Sequence, residues 1–162
     1  MLPYDKVMGS DKMTRERMSE LKTQNSKLNI FIEAQRVGRL ATADEQGQPH
    51  VVPVCYAHDG ASFYIALDAK PKRVAHTQLR RVRNILANPQ AALVIDRYSE
   101  DWGALAYLLL RGAAAMLPTG DPEHRRAVAL LRQRYPQYHA MPIDEQPMIV
   151  LRAESVVAWG AL

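Results

Sequence analysis

Between residues 36 and 67 the chain carries three short stretches rich in apolar and β-branched residues, RVGRLATA, PHVVPVCYA and ASFYIAL, separated only by tight bends. The first two alternate with a period of two and flank DEQGQ, with Asp44, Glu45, Gln46 and Gly47 at the bend, the pattern of a β-hairpin. His58-Asp59-Gly60 then turns the chain into the third stretch. Pro53 lies inside the second strand and cannot donate to a ladder. That strand must therefore be bulged or at a sheet edge there, where backbone becomes available to a ligand.

The rest of the chain completes a mainly β pattern. Helix is expected from about Thr14 to Ala34, with a break near Thr23 to Lys27, after a loose leader over residues 1–13. A second helix is expected over VAHTQLRRVRNILA, with Val74, Leu79, Val82, Ile85 and Leu86 on one face and Pro71 suited to its first turn. Asn88-Pro89 ends it, and AALVIDRY is a continuous apolar run of the kind found in a buried strand. Residues 104–117 form a long strand bent near Gly112, and Asp121 and Pro122 cap a helix over residues 122–135. Two short strands, MIVLRA and SVVAWG, close the chain. The expected architecture is one domain over residues 14–162, mainly β with flanking helices: a closed or split antiparallel barrel of about six strands.

Composition bounds the class. Apolar residues at 48% and charged residues at 23% are enough for a packed core. One cysteine, Cys55, excludes an internal disulfide and a cysteine-rich zinc site. It reads as a buried strand thiol rather than a nucleophile. No apolar run reaches the ~20 residues of a membrane span, and the N-terminus lacks a signal-peptide core, so a cytoplasmic protein is expected.

The net charge of +4 is unevenly spread. Residues 69–95 hold six basic side chains and no acidic one. Lys70, Lys72 and Arg73 fall where a strand ends and a helix begins, and free N–H groups and the helix dipole there favour a phosphate. The alternative is a solvated cationic helix face, which suits Arg80, Arg81 and Arg83 better. No protein-side catalytic set accompanies the basic segment. The five histidines are scattered without metal-ligand spacing, no GxSxG surrounds Ser62 or Ser99, and neither a P-loop nor GxGxxG is present. A phosphate cradle without catalytic residues points to a cofactor that brings its own chemistry.

From about Phe31 to Trp159 the order of elements resembles the split-barrel flavin proteins of the pyridoxamine 5′-phosphate oxidase-like superfamily, on RLATADEQGQPHVVPVCY, FYIALDAKPKR and NILANPQAALVIDRY. DAKPKR, RRVRNILANP, VIDRYSEDW and RYPQY are together similar to the branch described as dependent on coenzyme F420, a deazaflavin. The resemblance implies a six-stranded antiparallel split β-barrel. Arg39, Leu40, Ala41 and Thr42 on the first strand, with Val52, Pro53 and Val54 on the second, would line the ring and ribityl chain. Ala66, Leu67 and Asp68 would present backbone near the flavin edge, and Lys70, Lys72 and Arg73 would bind the phosphate. Members are generally homodimers with the cofactor at the interface, so Tyr98, Trp102 and Arg111 would reach the partner's site or the substrate, or else serve packing.

The chain departs from the pyridoxamine phosphate oxidases themselves. It reads ALDAKPKR where they carry adjacent Arg-Lys, and its end, SVVAWGAL, lacks their substrate-binding Arg and His. Vitamin B6 oxidation is therefore not expected. Coenzyme F420, with FMN next, would exchange hydride with a small unsaturated or carbonyl-bearing substrate, any proton coming from water or Tyr98. The competing readings are a non-catalytic FMN or haem carrier on the same fold, and a nucleic-acid-binding protein using the basic helix 72–83.

Overall fold

The computed structural model describes residues 26–60, 62–67 and 78–162. Its elements are α1 (Ser26–Ala34), β1 (Gly38–Ala43), β2 (Pro49–Val54), β3 (Ala57–His58), β4 (Ser62–Ala66), α2 (Arg80–Ala87), β5 (Gln90–Arg97), β6 (Ala106–Leu117), α3 (Pro122–Arg134) and β7 (Met148–Gly160). Short 3₁₀ turns at Trp102–Ala104, Pro136–Ala140 and Ile143–Glu145 join them. The described strands form one antiparallel sheet in the order β2-β1-β5-β6-β7-β4-β3. The sheet curls, because Leu40 of β1, Leu93 of β5, Leu108 of β6, Leu151 of β7 and Phe63 of β4 meet in one core. This is the expected split barrel, with seven strands rather than six.

Three local expectations are corrected. PHVVPVCYA is not one strand: β2 stops at Val54, and Cys55 and Tyr56 separate it from β3. Tyr56 causes the break, since its ring is fully buried and its hydroxyl bonds to the carbonyls of Ile32 and Gln35, at 2.7 and 2.6 Å. Cys55 consequently lies half-buried beyond the strand rather than buried within it. MIVLRA and SVVAWG are one strand, β7, which stays paired with β6 through a bulge. Arg111 faces Ser155 and Gly112 faces Ala153, leaving Glu154 extra. A Cβ on Gly112 would run into the carbonyl oxygen of Arg152, so the bend expected near Gly112 is this close approach.

The third correction concerns the apolar runs. β4, SFYIA, is buried at every position: Phe63 and Ile65 enter the barrel, while Tyr64 and Ala66 pack under Ala127, Val128 and Leu131 of α3. The run in β5 is buried on one face only. Ala91, Leu93 and Ile95 point inward, whereas Ala92 and Val94 look outward and stay half-exposed.

The helices begin and end as their residues dictate. Asp121 accepts a 2.7 Å bond from the Glu123 N–H and Pro122 follows, the N-cap arrangement expected for α3. The C-terminal end of α1 is closed by Arg134, whose guanidinium donates to the carbonyls of Ile32 and Gln35, at 2.9 and 2.7 Å. Within the described residues no helix is long and apolar enough to cross a membrane.

Candidate functional site

The strand period divides the expected cofactor residues between two faces. Leu40, Thr42 and Val54 are buried inside, and Val52 packs against the same core. Arg39, Ala41 and Pro53 look outward, with Arg39 opposite Pro53 on β2 and opposite Val94 on β5. Among the described strands β2 pairs with β1 alone, so Pro53 sits on an edge strand, where a residue without an N–H is tolerated. Ala66 is buried under α3 and Leu67 in the barrel core. Asp68, Lys70, Lys72 and Arg73 lie outside the described residues.

One row across the outer face is unusually flat. Val51, Ala41 and Ala92 stand side by side on β2, β1 and β5, so no side chain larger than valine rises there. Arg111 follows on β6, opposite Ala92, exposed and without an ion pair among the described residues. In the next row Pro53, Arg39, Val94, Leu109 and Val157 align, and Arg39 makes an ion pair with Asp96. Tyr98 and Trp102 are exposed at the end of the same sheet, where β5 passes to β6. The Tyr98 hydroxyl donates to Glu100 at 3.1 Å.

The basic helix starts at Arg80 rather than near Val74 as expected, because Leu79 is extended at ψ 130°, so Lys70, Lys72 and Arg73 do not stand at its first turn; it begins beside the tip of the β1–β2 hairpin. The Asp44 carboxylate accepts from the N–H groups of Gln46 and Gln48, at 3.1 and 2.8 Å, and Gly47 completes the turn at φ +78°. Arg80 donates to the Gln48 side chain at 2.8 Å and lies 3.8 Å from Asp44. Asn84 donates to Thr42 at 3.1 Å, which fixes α2 against β1. Burial pushes the His50 imidazole below its ordinary value, and nearby Arg80 and Arg81 push the same way. No acidic residue occupies the first turn of α2. The hairpin tip and helix start thus bring Arg80 and Arg81 close to His50 and disfavour its protonation. His50 escapes sequence reading because only the hairpin register and the packing of α2 bring it there.

Polar groups around β4 are mutually satisfied. Tyr64 donates toward Asp59 at 2.7 Å and Glu123 at 2.8 Å, while Arg152 pairs with both oxygens of Glu123 and donates to Ser62 at 2.8 Å. Those contacts, led by Arg152, hold the Glu123 carboxyl down at about 2. Burial and the two carboxylates push the Tyr64 hydroxyl up. A cavity of about 730 Å³ borders α3, and one of about 360 Å³ lies between the 3₁₀ turn after α3 and Val37 and Cys55, just beyond the paired ends of β1 and β2. Among the described residues no group of three or more His, Cys, Asp and Glu could hold a metal.

The family model for pyridoxamine 5′-phosphate oxidase matches residues 25–160. The chain is 30% identical over 131 residues to the 5a,11a-dehydrotetracycline/5a,11a-dehydrooxytetracycline reductase of Streptomyces rimosus, covering 80% of this chain and 78% of that protein. Its fold is similar to the haem storage protein HutZ of Vibrio cholerae, with TM-score 0.67 and 16% identity over 84% of this chain and 93% of the other. It is also similar to an FAD-binding protein of Mesorhizobium loti, with TM-score 0.59 and 22% identity over 83% and 93%. Barrel, sheet order and sequence match agree, and the chain belongs to the pyridoxamine 5′-phosphate oxidase family.

Proposed function

We propose that this protein is an oxidoreductase that holds a flavin-type cofactor, coenzyme F420 in preference to FMN, against the outer face of β1 and β2. The observation that carries the reading is the 30% identity, over four-fifths of the chain, to a protein named as a reductase. The residues present fit such a group. The row Val51, Ala41, Ala92 offers a flat apolar floor for a ring, and Arg111, opposite Ala92 and without an ion pair among the described residues, supplies positive charge beside it. When bound, a flavin or deazaflavin supplies hydride transfer, and the chain supplies position. Pro53 and the β2 edge would support the ring, Lys70, Lys72 and Arg73 would hold the phosphate, and Arg80 and Arg81, with a neutral His50 as donor, would suit a further anionic group on a longer tail. A second copy of the chain laid over Val94, Leu109 and Val157 would shield this site from water.

Separate titrations with coenzyme F420 and FMN, followed by turnover assays with the reduced cofactor, test the reading. Lys72→Ala and Arg73→Ala should each weaken cofactor binding by about 1.5–3 kcal/mol, the worth of a charge-assisted hydrogen bond. Unchanged affinity in both variants removes the phosphate assignment. A haem Soret band with no affinity for either flavin would instead favour a carrier.

A further inference from the structure

The cavity of about 730 Å³ beside α3 owes nothing to the outer sheet face. Its walls come from α3, from Gly120 ahead of it and from the 3₁₀ turns behind it, and no residue of β1, β2, β5, β6 or β7 lines it. A second copy laid over Val94, Leu109 and Val157 therefore takes none of its lining. Two rows of α3 form one wall. His124, Val128 and Arg132 make the deeper row and Arg125, Ala129 and Gln133 the outer one, each spaced by four residues. Polar side chains thus stand at both ends and apolar ones in the middle. Eight residues of helix rise span about 12 Å, and a cavity of this volume suits one small molecule.

His124 is the side chain that the fold alone does not explain. It is 1% exposed. Its Nε2 lies 2.8 Å from the Gln146 carbonyl oxygen, which can only accept, so Nε2 carries the proton and in the neutral ring Nδ1 is left as an acceptor. No described residue meets that nitrogen, and the ring lines the cavity. A buried acceptor without a donor costs free energy, which a ligand hydroxyl or N–H restores. One residue on, Arg125 is exposed, donates to the Gly120 carbonyl and makes no ion pair among the described residues, so the rest of its guanidinium is open to a carboxylate. The far end is already committed: Arg132 donates to the carbonyls of Tyr138 and Met141, at 3.2 and 3.4 Å, and to Asp144 at 2.5 Å, which fixes the opposite wall.

We propose that this cavity binds a 2-hydroxy carboxylate with an apolar body, its carboxylate on Arg125, its hydroxyl donating to His124 Nδ1 and its body over Val128 and Ala129. Nothing in the site depends on a flavin. A carboxylate alone would leave Nδ1 unmet, and an alcohol alone would leave Arg125 unmet. Arg125 and His124 are consecutive residues at one end of the cavity, so the two groups belong on neighbouring carbons. A hydroxyl is a better donor here than an ammonium. Arg125, Arg126 and Arg132 leave this stretch of α3 cationic, since Glu123 is taken by Arg152 and Asp144 by Arg132.

Calorimetric titration of the full chain with 3-phenyllactate, 3-phenylpropionate and 2-phenylethanol removes the hydroxyl and the carboxylate in turn. 3-Phenyllactate should bind saturably, about fivefold tighter than phenylpropionate and about tenfold tighter than phenylethanol. Arg125→Gln, at an exposed position, should abolish the advantage over phenylethanol. His124→Gln keeps an N–H for the Gln146 carbonyl but loses the Nδ1 acceptor, so it should abolish the advantage over phenylpropionate, which Arg125→Gln retains. A merely structural histidine would lower stability and leave that ratio unchanged. Ala129→Phe fills the middle of the groove from an exposed position and should abolish binding. No saturable heat at millimolar ligand, three ligands bound alike, or phenyllactate bound by Ala129→Phe as by wild type overturns the proposal. Displacement of phenyllactate by FMN also overturns it, by putting the ligand on the cofactor face. A chain that takes neither FMN nor coenzyme F420 but keeps these ratios upholds this site and defeats the cofactor reading.

Discussion

β4 and β5 carry apolar runs that look alike in sequence, yet their outer faces meet different fates. Tyr64 and Ala66 of β4 disappear beneath α3, while Ala92 and Val94 of β5 remain half-exposed beside Arg39 and Leu109. Around the covered face, polar groups close on one another: Glu123 with Arg152 and Tyr64, and Arg134 with Glu33, Tyr135 and two helix carbonyls. The open face keeps Arg111 without an ion pair among the described residues and leaves two tryptophans exposed. The covered side closes its own polar groups, and the open side is the one that the proposed cofactor would occupy. Variants on the two sides should separate accordingly.

The largest stability effect is expected at Arg134. Its guanidinium is almost fully buried, lies 5.0 Å over the Tyr56 ring, and bonds to Ile32, Gln35, Tyr135 and Glu33. Arg134→Met keeps much of the packing but strips two carbonyls of a charged donor. Glu33 is well exposed, so its lost ion pair adds little. Urea denaturation should show a loss of about 3 kcal/mol. A loss under about 1 kcal/mol would mean that Tyr56 and water satisfy the α1 terminus without the arginine.

Arg134 also shows where reading the sequence stops. In RYPQY it is part of a resemblance only, and its partners at the end of α1 lie about a hundred residues away, where no local pattern announces them. What was legible came from local rules: the hairpin from its period and bend, α3 from Asp121-Pro122, and from Pro53 that β2 is bulged or at an edge, of which the sheet order gives the edge. Whether an apolar strand is covered on one side or both depends on where α3 docks, and periodicity is blind to that. The same limit applies to the site. Arg39, Ala41 and Pro53 share a face because of pleating, so the residues between them could be assigned to the cofactor only as a stretch. His50 depends on the β1–β2 register and on where α2 packs.

An acid titration sharpens the comparison next. The Glu123 carboxyl is held at about 2 when folded, below its ordinary 4.5. A depressed carboxylate contributes stability that is complete above its unfolded value and fades as pH falls through the folded one. The wild-type urea midpoint should therefore drop between pH 4.5 and 2, and Glu123→Gln should flatten that drop while lowering the midpoint at pH 7. His58 acts in the same direction at higher pH. Burial holds its imidazole below the ordinary value, and Gly60 N–H donates to its Nδ1 at 3.3 Å, a bond that protonation abolishes. His58→Gln should remove the acid-side loss that begins below pH 6.5, and an unchanged slope there would exclude His58 as its source.

The smallest stability effect belongs to Arg111. It stands exposed on the flat row of the open face and makes no ion pair among the described residues, so Arg111→Ala should change the urea midpoint by no more than about 0.5 kcal/mol equivalent. Its lack of structural work is what makes it informative. If the open face holds an anionic cofactor or substrate, Arg111→Ala should weaken binding by about 1 kcal/mol and Arg111→Glu by more, with the loss shrinking at high salt. Arg134→Met should do the reverse, destabilising the fold while leaving ligand affinity at permissive temperature unchanged. An Arg111 variant that unfolds like Arg134→Met, or one that binds as wild type does, would break the division between a side that holds the barrel together and a side that meets its ligand.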